Sequence, residues 1–151
     1  MSDDNHRSAP AIRVLVVEDF EPFRRFVCST LGKLPHLQIV GEVSDGLNAV
    51  SQAKELQPDL ILLDIGLPTL DGIEAARQIR MLSPRSRIVF ISQESGAHFV
   101  EAAFRIGAMA YITKVRAGKE LLAAVDAVLH GRQFVGAGLQ HHELPLGIRP
   151  E

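Results

Sequence analysis

The chain has 151 residues, 46% of them hydrophobic, which is enough for one core and typical of one domain with short tails. A net charge of -2 supplies no basic field for phosphates and argues against direct nucleic-acid binding. Residues 1–10 lack the apolar region of a signal peptide, and no apolar run approaches the roughly 20 residues that span a bilayer. The single cysteine, Cys28, suits a reducing cytoplasm, and its apolar helical surroundings favour burial over reactivity.

Short aliphatic runs alternate with segments of helical periodicity along the chain. Strands are predicted at 12–17, 37–43, 60–63, 87–91 and 109–113. Helices are predicted to begin near Pro22, Gly46, Asp71, Ala97 and Gly118. Five strand–helix units with right-handed crossovers predict an α/β fold, a doubly wound parallel five-stranded sheet in the order 2-1-3-4-5.

The third strand is the most informative stretch, Leu60-Ile61-Leu62-Leu63, followed directly by Asp64. Four aliphatic residues in a row predict a strand buried on both faces. The carboxyl ends of such strands are where open α/β sheets bind ligands. A lone aspartate there is usually a helix N-cap or a solvated loop residue, so the other strand ends decide its meaning.

Polar groups follow the neighbouring strands at the same edge of the predicted sheet: Glu18, Asp19, Asp64, Ser92 and Lys114. Lys114 alone could neutralise the acids as an ion pair, and Ser92 alone could cap the next loop. Three converging carboxylates repel one another unless a cation lies among them, and Mg²⁺ prefers oxygen ligands of this kind. With the metal present, Asp64 can attack a phosphoryl group while Mg²⁺ and Lys114 stabilise its equatorial oxygens.

This pattern resembles the receiver domain of two-component response regulators, over roughly Ile12 to Arg132. The resemblance rests on the acidic pair after Val16-Val17, the run from Asp64 to Gly72, the hydroxyl of Ser92 and Lys114 after Ala110-Tyr111-Ile112-Thr113. It implies a flavodoxin-like fold in which Asp64 accepts phosphate from a sensor histidine kinase. It also implies that Glu18, Asp19, Asp64 and the carbonyl of Gly66 surround Mg²⁺, and that Ser92 and Lys114 grip the phosphoryl oxygens.

The resemblance further implies a switch and a means of tuning its lifetime. Ser92 would move toward the phosphoryl group and Tyr111 would turn inward, changing the face formed by the fourth helix, fifth strand and fifth helix. That face would contact a downstream partner or a second copy of the chain. Tyr111 could instead be an ordinary core aromatic with its hydroxyl at the surface. Gly66 and Glu94 occupy the two variable positions that tune hydrolysis in this family.

Three residues depart from the family pattern. Val115 stands where proline, commonly preceded by a cis bond, is usual. Since a cis bond before a non-proline residue costs about 2.5–4 kcal/mol, a trans bond with a displaced Lys114 is the expected consequence. Gln93 replaces a small residue and would narrow access to the phosphate. Glu18 replaces the commoner aspartate, which a water-mediated metal contact would tolerate.

The C-terminal part resembles receivers that precede a LuxR-type helix-turn-helix output domain. The predicted organisation is a disordered leader at 1–10, a receiver domain at 11–133 and a flexible tail at 134–151 with no output domain. His141 and His142 in that tail lack matched metal ligands, which favours solvated side chains. A stand-alone receiver and a receiver cut from a longer regulator both fit.

The functional prediction is therefore a signalling phosphoacceptor rather than an enzyme acting on a separate substrate. An aspartate-nucleophile phosphatase would share the metal and the acyl phosphate, but it generally carries a second aspartate at the position of Gly66. A phosphorylation-independent interaction module of the same fold is the main alternative, suggested by Val115, Gln93 and the missing output domain.

Overall fold

A six-stranded parallel sheet forms the centre of the computed structural model, which describes residues 10–139. Its strands are β1 (Ile12–Val17), β2 (Leu37–Val43), β3 (Leu60–Leu63), β4 (Arg87–Ser92), β5 (Ala110–Thr113) and β6 (Phe134–Val135). They lie in the order β2-β1-β3-β4-β5-β6. The predicted order 2-1-3-4-5 is confirmed, and a short sixth strand extends it beyond β5.

Five helices cover the two faces of this sheet. They are α1 (Glu21–Leu31), α2 (Gly46–Leu56), α3 (Gly72–Leu82), α4 (Ala97–Ile106) and α5 (Ala117–Leu129). One core layer packs α2, α3 and α4 against the sheet, and the other packs α1 and α5. In β3, Ile61 and Leu63 enter the first layer while Leu60 and Leu62 enter the second. This explains why β3 has no polar face, as the sequence predicts.

Side-chain caps fix two of the helix starts near the functional edge of the sheet. Asp45 accepts a hydrogen bond of 2.9 Å from Asn48 N, and Asp71 accepts one of 3.0 Å from Glu74 N. The capping box at Asp71 is only half present, because the Glu74 carboxylate pairs with Arg77 instead of returning to the helix start.

The segment after α5 differs most from the sequence-based expectation. Phe134 and Val135, assigned to the flexible tail, pair with Ala110 and Tyr111 of β5. Glu120 of α5 then accepts a hydrogen bond of 2.9 Å from Ala137 N. A two-residue strand is too short for alternation to mark it. Residues 140–151 of the predicted tail, with His141 and His142, and residues 1–9 of the leader lie outside the described residues.

Cys28 lies partly buried in α1. Burial, followed by the negative charge of Glu42, raises the pKa of its thiol to about 11. The thiolate is therefore scarce at neutral pH, in line with a structural rather than a reactive cysteine. Across residues 10–139, no helix is long and apolar enough to cross a membrane.

Candidate functional site

The carboxyl ends of four adjacent strands form one edge of the sheet, and the polar residues picked out from the sequence lie there. Strand register explains this: Val17 pairs with Leu63, Leu63 with Phe90, and Ser92 with Thr113. The residues that follow therefore emerge side by side. They are Glu18 and Asp19 after β1, Asp64 after β3, Ser92 at the end of β4 and Lys114 after β5.

Three carboxylates converge at this edge. One carboxylate oxygen from each of Glu18, Asp19 and Asp64 lies within 4.8 Å of the others. Glu18 is 3% exposed and Asp64 is 5% exposed, whereas Asp19 faces solvent. The cluster thus has two buried acids and one acid at its mouth.

Lys114 supplies the positive charge that holds the two buried acids together. Its Nζ donates to Glu18 Oε2 at 2.9 Å and lies 3.0 Å from Asp64 Oδ2. Burial disfavours the ammonium, but the bonds to Glu18 and Asp64 outweigh burial and raise the pKa of Lys114. Lys114 is therefore fully charged at neutral pH.

The expected displacement of Lys114 does not occur. The Lys114–Val115 peptide is trans, like every peptide bond between residues 10 and 139, and begins a 3₁₀ turn that spans Lys114–Arg116. The lysine nevertheless reaches both carboxylates, so the sequence departure at Val115 leaves the ammonium in the site. Val115 itself is 91% exposed.

Glu18 is the acid of the cluster whose negative charge is least favourable. Burial raises the pKa of its carboxyl above the usual value, and the negative charge of Asp64 adds to the effect. Bonds from Lys114 Nζ and from Phe20 N at 3.0 Å counteract this only in part. A further cation among these oxygens would relieve the repulsion.

The donor set fits a hard divalent cation. All three side chains offer oxygen, the ligand atoms are close enough to share one ion, and the exposed position of Asp19 leaves room for water. Gly66 lies two residues after Asp64, and its N–H makes a long contact of 3.4 Å with Asp64 Oδ1. Its carbonyl, the fourth ligand implied by the resemblance, stays a prediction.

An open cleft of about 500 Å³ gives access to this cluster. It is lined by Asp19, Phe20, Phe23, Asp64, Gly66, Ser92, Gln93, Glu94 and Lys114. The cleft brings together the proposed nucleophile, the hydroxyl, the ammonium and both variable positions. Gln93 is exposed and lines the cleft, and its narrowing of access to the phosphate stays a prediction.

Ser92 and Tyr111 both form hydrogen bonds with the backbone of Glu94, in the loop between β4 and α4. Glu94 N donates to Ser92 Oγ at 3.1 Å, and the Tyr111 hydroxyl donates to Glu94 O at 2.8 Å. Tyr111 is 0% exposed, so its hydroxyl does not lie at the surface. Burial raises the pKa of Tyr111 to about 12, which keeps the hydroxyl protonated.

Two glycines, one in the loop after β3 and one at the start of α3, have opposite surroundings. A Cβ on Gly72 would lie 1.9 Å from Asp64 O, so no larger side chain fits there without moving the Asp64 backbone. A Cβ on Gly66 would meet nothing within 4 Å. Gly72 is thus required by packing, whereas Gly66 can vary.

Phe23 was not among the site residues predicted from the sequence. The Phe23 ring lies under the ammonium of Lys114, with Nζ 5.0 Å from the ring centroid. The available signal was its position: it stands in the first turn of the helix that leaves the acidic strand end. Phe23 in this turn therefore lines the cleft.

The family model for the response regulator receiver domain matches residues 14–126, so this chain belongs to that family. Domains of this family are phosphoacceptors in two-component signalling, where kinases and output domains are their partners.

Individual relatives agree with this placement. The chain is 38% identical over 124 residues to the transcriptional regulatory protein LiaR of Bacillus subtilis, covering 80% of this chain and 57% of that protein. It is 31% identical over 124 residues to the response regulator GacA of Pseudomonas viridiflava, covering 82% and 58%. The chain thus spans little more than half the length of these relatives.

Solved structures give the same result. A LuxR-family response regulator from Aurantimonas sp. shares 32% identity and a TM-score of 0.77, covering 82% of this chain and 88% of that one. The receiver domain of the putative response regulator NarL from Mycobacterium tuberculosis shares 31% identity and a TM-score of 0.77, covering 82% and 100%. The predicted resemblance to LuxR-type receivers is confirmed.

Proposed function

We propose that this chain is the phosphoacceptor of a two-component phosphorelay and that Asp64 takes a phosphoryl group from a phosphohistidine of a sensor kinase. The observation that carries the proposal is the position of the Lys114 ammonium, 3.0 Å from Asp64 Oδ2 in an open cleft. A buried carboxylate with a fixed cation beside it and solvent access in front is equipped for phosphoryl transfer.

The reaction is a displacement at phosphorus. A carboxylate oxygen of Asp64 forms the new P–O bond while the P–N bond to the kinase imidazole breaks. The imidazole nitrogen keeps the electron pair and takes a proton from solvent, and the product is an acyl phosphate. Lys114 and the Ser92 hydroxyl stabilise the negative charge on the phosphoryl oxygens.

Glu18, Asp19, Asp64 and the backbone carbonyl of Gly66 would hold Mg²⁺. When bound, the ion supplies positive charge against both the carboxylates and the phosphoryl oxygens. The shared reach of the three carboxylates and the raised pKa of Glu18 support this assignment.

We place the switch at the peptide groups of Glu94, because Ser92 and Tyr111 both bind it. A serine hydroxyl has one donor and two acceptor positions. Ser92 can therefore donate to a phosphoryl oxygen while it still accepts from Glu94 N, so movement of Ser92 carries the β4–α4 loop with it. Tyr111 follows through its bond to the same residue, and the α4-β5-α5 face changes.

The partners follow from this mechanism. In the cytoplasm, a sensor histidine kinase supplies the phosphoryl group, and a downstream protein, a separate output domain or a second copy of the chain reads the α4-β5-α5 face. Gly66 and Glu94 line the cleft and tune hydrolysis of the acyl phosphate. The activity is limited to the chain's own phosphorylation and dephosphorylation.

Incubation with acetyl phosphate and Mg²⁺, followed by intact-mass measurement, tests the proposal. We expect the mass of one phosphoryl group to be added to the wild type and none to Asp64→Asn. Beryllium fluoride should bind the wild type only with Mg²⁺. A wild type that neither gains mass nor binds beryllium fluoride would identify a phosphorylation-independent interaction module instead.

A further inference from the structure

Among residues 10–139, the ammonium of Lys114 contacts two acids and one aromatic ring. Glu18 and Asp64 take two directions around Nζ at 2.9 and 3.0 Å. On a third side Nζ lies over the ring of Phe23, 5.0 Å from its centroid. This distance is within the roughly 6 Å at which an aromatic face attracts a cation.

From this arrangement we infer that Phe23 is the positioning residue for Lys114, holding the ammonium by a cation–π contact while it changes its anionic partner. The inference rests on the proposed phosphoryl transfer to Asp64. The residues that the sequence predicts to take part in the chemistry all lie at or after strand ends. The inference adds a residue of α1 to them.

The position of the Lys114 ammonium depends on its own contacts. Ala117 N donates a hydrogen bond to the Lys114 carbonyl and holds the backbone, but Val115 is almost fully exposed and its side chain adds no packing beside the lysine. Lysine carries its charge on a flexible four-carbon stem, so a fixed backbone does not by itself fix the ammonium. Contacts at the ammonium therefore decide where it lies.

Phosphoryl transfer requires those contacts to change. Asp64 must direct an oxygen at phosphorus, and Lys114 must exchange that carboxylate for a phosphoryl oxygen. A third carboxylate would hold the ammonium by a directional ionic bond and compete with the phosphoryl group. An aromatic face is uncharged and attracts the cation over a broad area, so Nζ can shift toward the phosphoryl oxygen without losing it.

Phe23 is itself fixed in position. It lies in the first turn of α1, partly buried against the core layer that packs α1 and α5. Its ring centroid is 5.6 Å from that of Phe26, with the rings inclined at 34°. Phe26 in turn lies towards α5, where a Cβ on Gly118 would be 4.0 Å from Phe26 Cζ. The aromatic pair thus extends from the site towards the start of α5.

Packing alone and cation–π attraction predict different results when the ring is changed without changing its shape. The full chain is prepared with Phe23→Leu, with Phe23→Tyr and with 3,4,5-trifluorophenylalanine at position 23, which withdraws electron density from the ring face. The same fluorinated residue at position 26 is the matched control, because Phe26 does not face the ammonium. The rate of phosphorylation by acetyl phosphate with Mg²⁺ is measured by intact mass.

We expect Phe23→Leu and the trifluoro variant to be phosphorylated about fivefold more slowly, and Phe23→Tyr to keep the wild-type rate. Fluorination at position 26 should leave the rate unchanged. A trifluoro variant at the wild-type rate would show that the ring acts by packing and would overturn the inference. Equal slowing at positions 23 and 26 would overturn it as well.

A second measurement does not depend on phosphorylation. Protons above an aromatic face resonate upfield, so the ε-methylene protons of Lys114 should be shifted upfield in the wild type and return to ordinary values in Phe23→Leu. A wild type that is phosphorylated but shows no such shift overturns this inference alone. A wild type that shows the shift but takes up no phosphoryl group contradicts the proposed function and leaves the lysine–ring contact standing.

Discussion

The hydroxyl of Tyr111 is a single atom whose removal tests the switch without damaging the core. It donates one hydrogen bond of 2.8 Å to Glu94 O from a fully buried ring. Tyr111→Phe keeps the ring, so the expected loss is that of one neutral hydrogen bond, about 1 kcal/mol in the free energy of unfolding. For a domain of this size, that corresponds to a fall of about 4 °C in Tm.

Tyr111→Ala is a poor test by comparison. Removing a buried aromatic ring leaves a cavity and costs about 3–5 kcal/mol. This is a large share of the roughly 5–15 kcal/mol that stabilises a typical domain. A loss of signalling in Tyr111→Ala would therefore follow from partial unfolding as readily as from a broken switch.

The assay combines urea unfolding with titration of beryllium fluoride in the presence of Mg²⁺. We expect Tyr111→Phe to lower the unfolding midpoint at an unchanged m-value. It should weaken beryllium fluoride binding by at most about fivefold, because a bond can shift an equilibrium only by the difference in its strength between two states. Ser95→Ala, an exposed residue of the same loop that does not line the cleft, should change neither quantity.

Wild-type stability and wild-type affinity in Tyr111→Phe would together refute a role for the hydroxyl. A destabilisation as large as that of Tyr111→Ala would refute the assignment of about 1 kcal/mol to one hydrogen bond. Unchanged affinity with reduced stability would show that Glu94 is held equally in both states, and would place the switch elsewhere.

Three further predictions concern the charges and the backbone of the site. Glu18→Gln should raise the unfolding free energy of metal-free protein at about pH 7 and weaken Mg²⁺ binding. Because burial raises the folded-state pKa of this acid, the wild type should gain stability relative to the variant as the pH falls towards about 5. Urea unfolding in EDTA across this pH range measures the stability difference and its pH dependence. A variant that is less stable than the wild type at neutral pH contradicts the predicted sign of that difference. Lys114→Met should cost about 3–5 kcal/mol, since it leaves Glu18 and Asp64 buried without their cation, and added Mg²⁺ should restore part of the loss in the same measurement. Gly72→Ala should lower Tm severely because its Cβ would overlap Asp64 O, whereas Gly66→Ala should stay within about 0.5 kcal/mol of the wild type. Equal Tm values for the two alanine variants would contradict the packing argument.

The fold and the placement of the site residues were predictable because both follow from topology. An aliphatic strand without a polar face, such as β3, indicates a sheet covered on both sides. Once the strand order is set, residues that follow different strands must meet at one edge. Asp64 and Lys114 are 50 positions apart in the chain, yet parallel strands alone bring them to the same cleft.

Contacts that depend on side-chain reach were not predictable. Nothing in the sequence marks the Phe23 ring as a partner of Lys114, since helical periodicity explains it equally well as a core residue. The bond from Tyr111 to Glu94 O spans 17 positions and ends on a backbone atom, which no residue pattern records. The strand β6 was missed because two residues carry no period.

The charge of the cleft explains why the acyl phosphate would form and yet be short-lived. Three carboxylates and one ammonium leave two net negative charges around Asp64. Converting the Asp64 carboxylate to an acyl phosphate exchanges one negative charge for about two, so the repulsion grows as the product forms. Lys114 cannot offset this repulsion alone, because it already forms an ion pair with Glu18. A divalent ion held by these carboxylates would thus be needed most after transfer, and removing it should destabilise the phosphorylated form more than the resting one. A site whose charge is balanced with the help of a dissociable ion would store the signal reversibly, which is the property that the proposed phosphorelay requires of its acceptor.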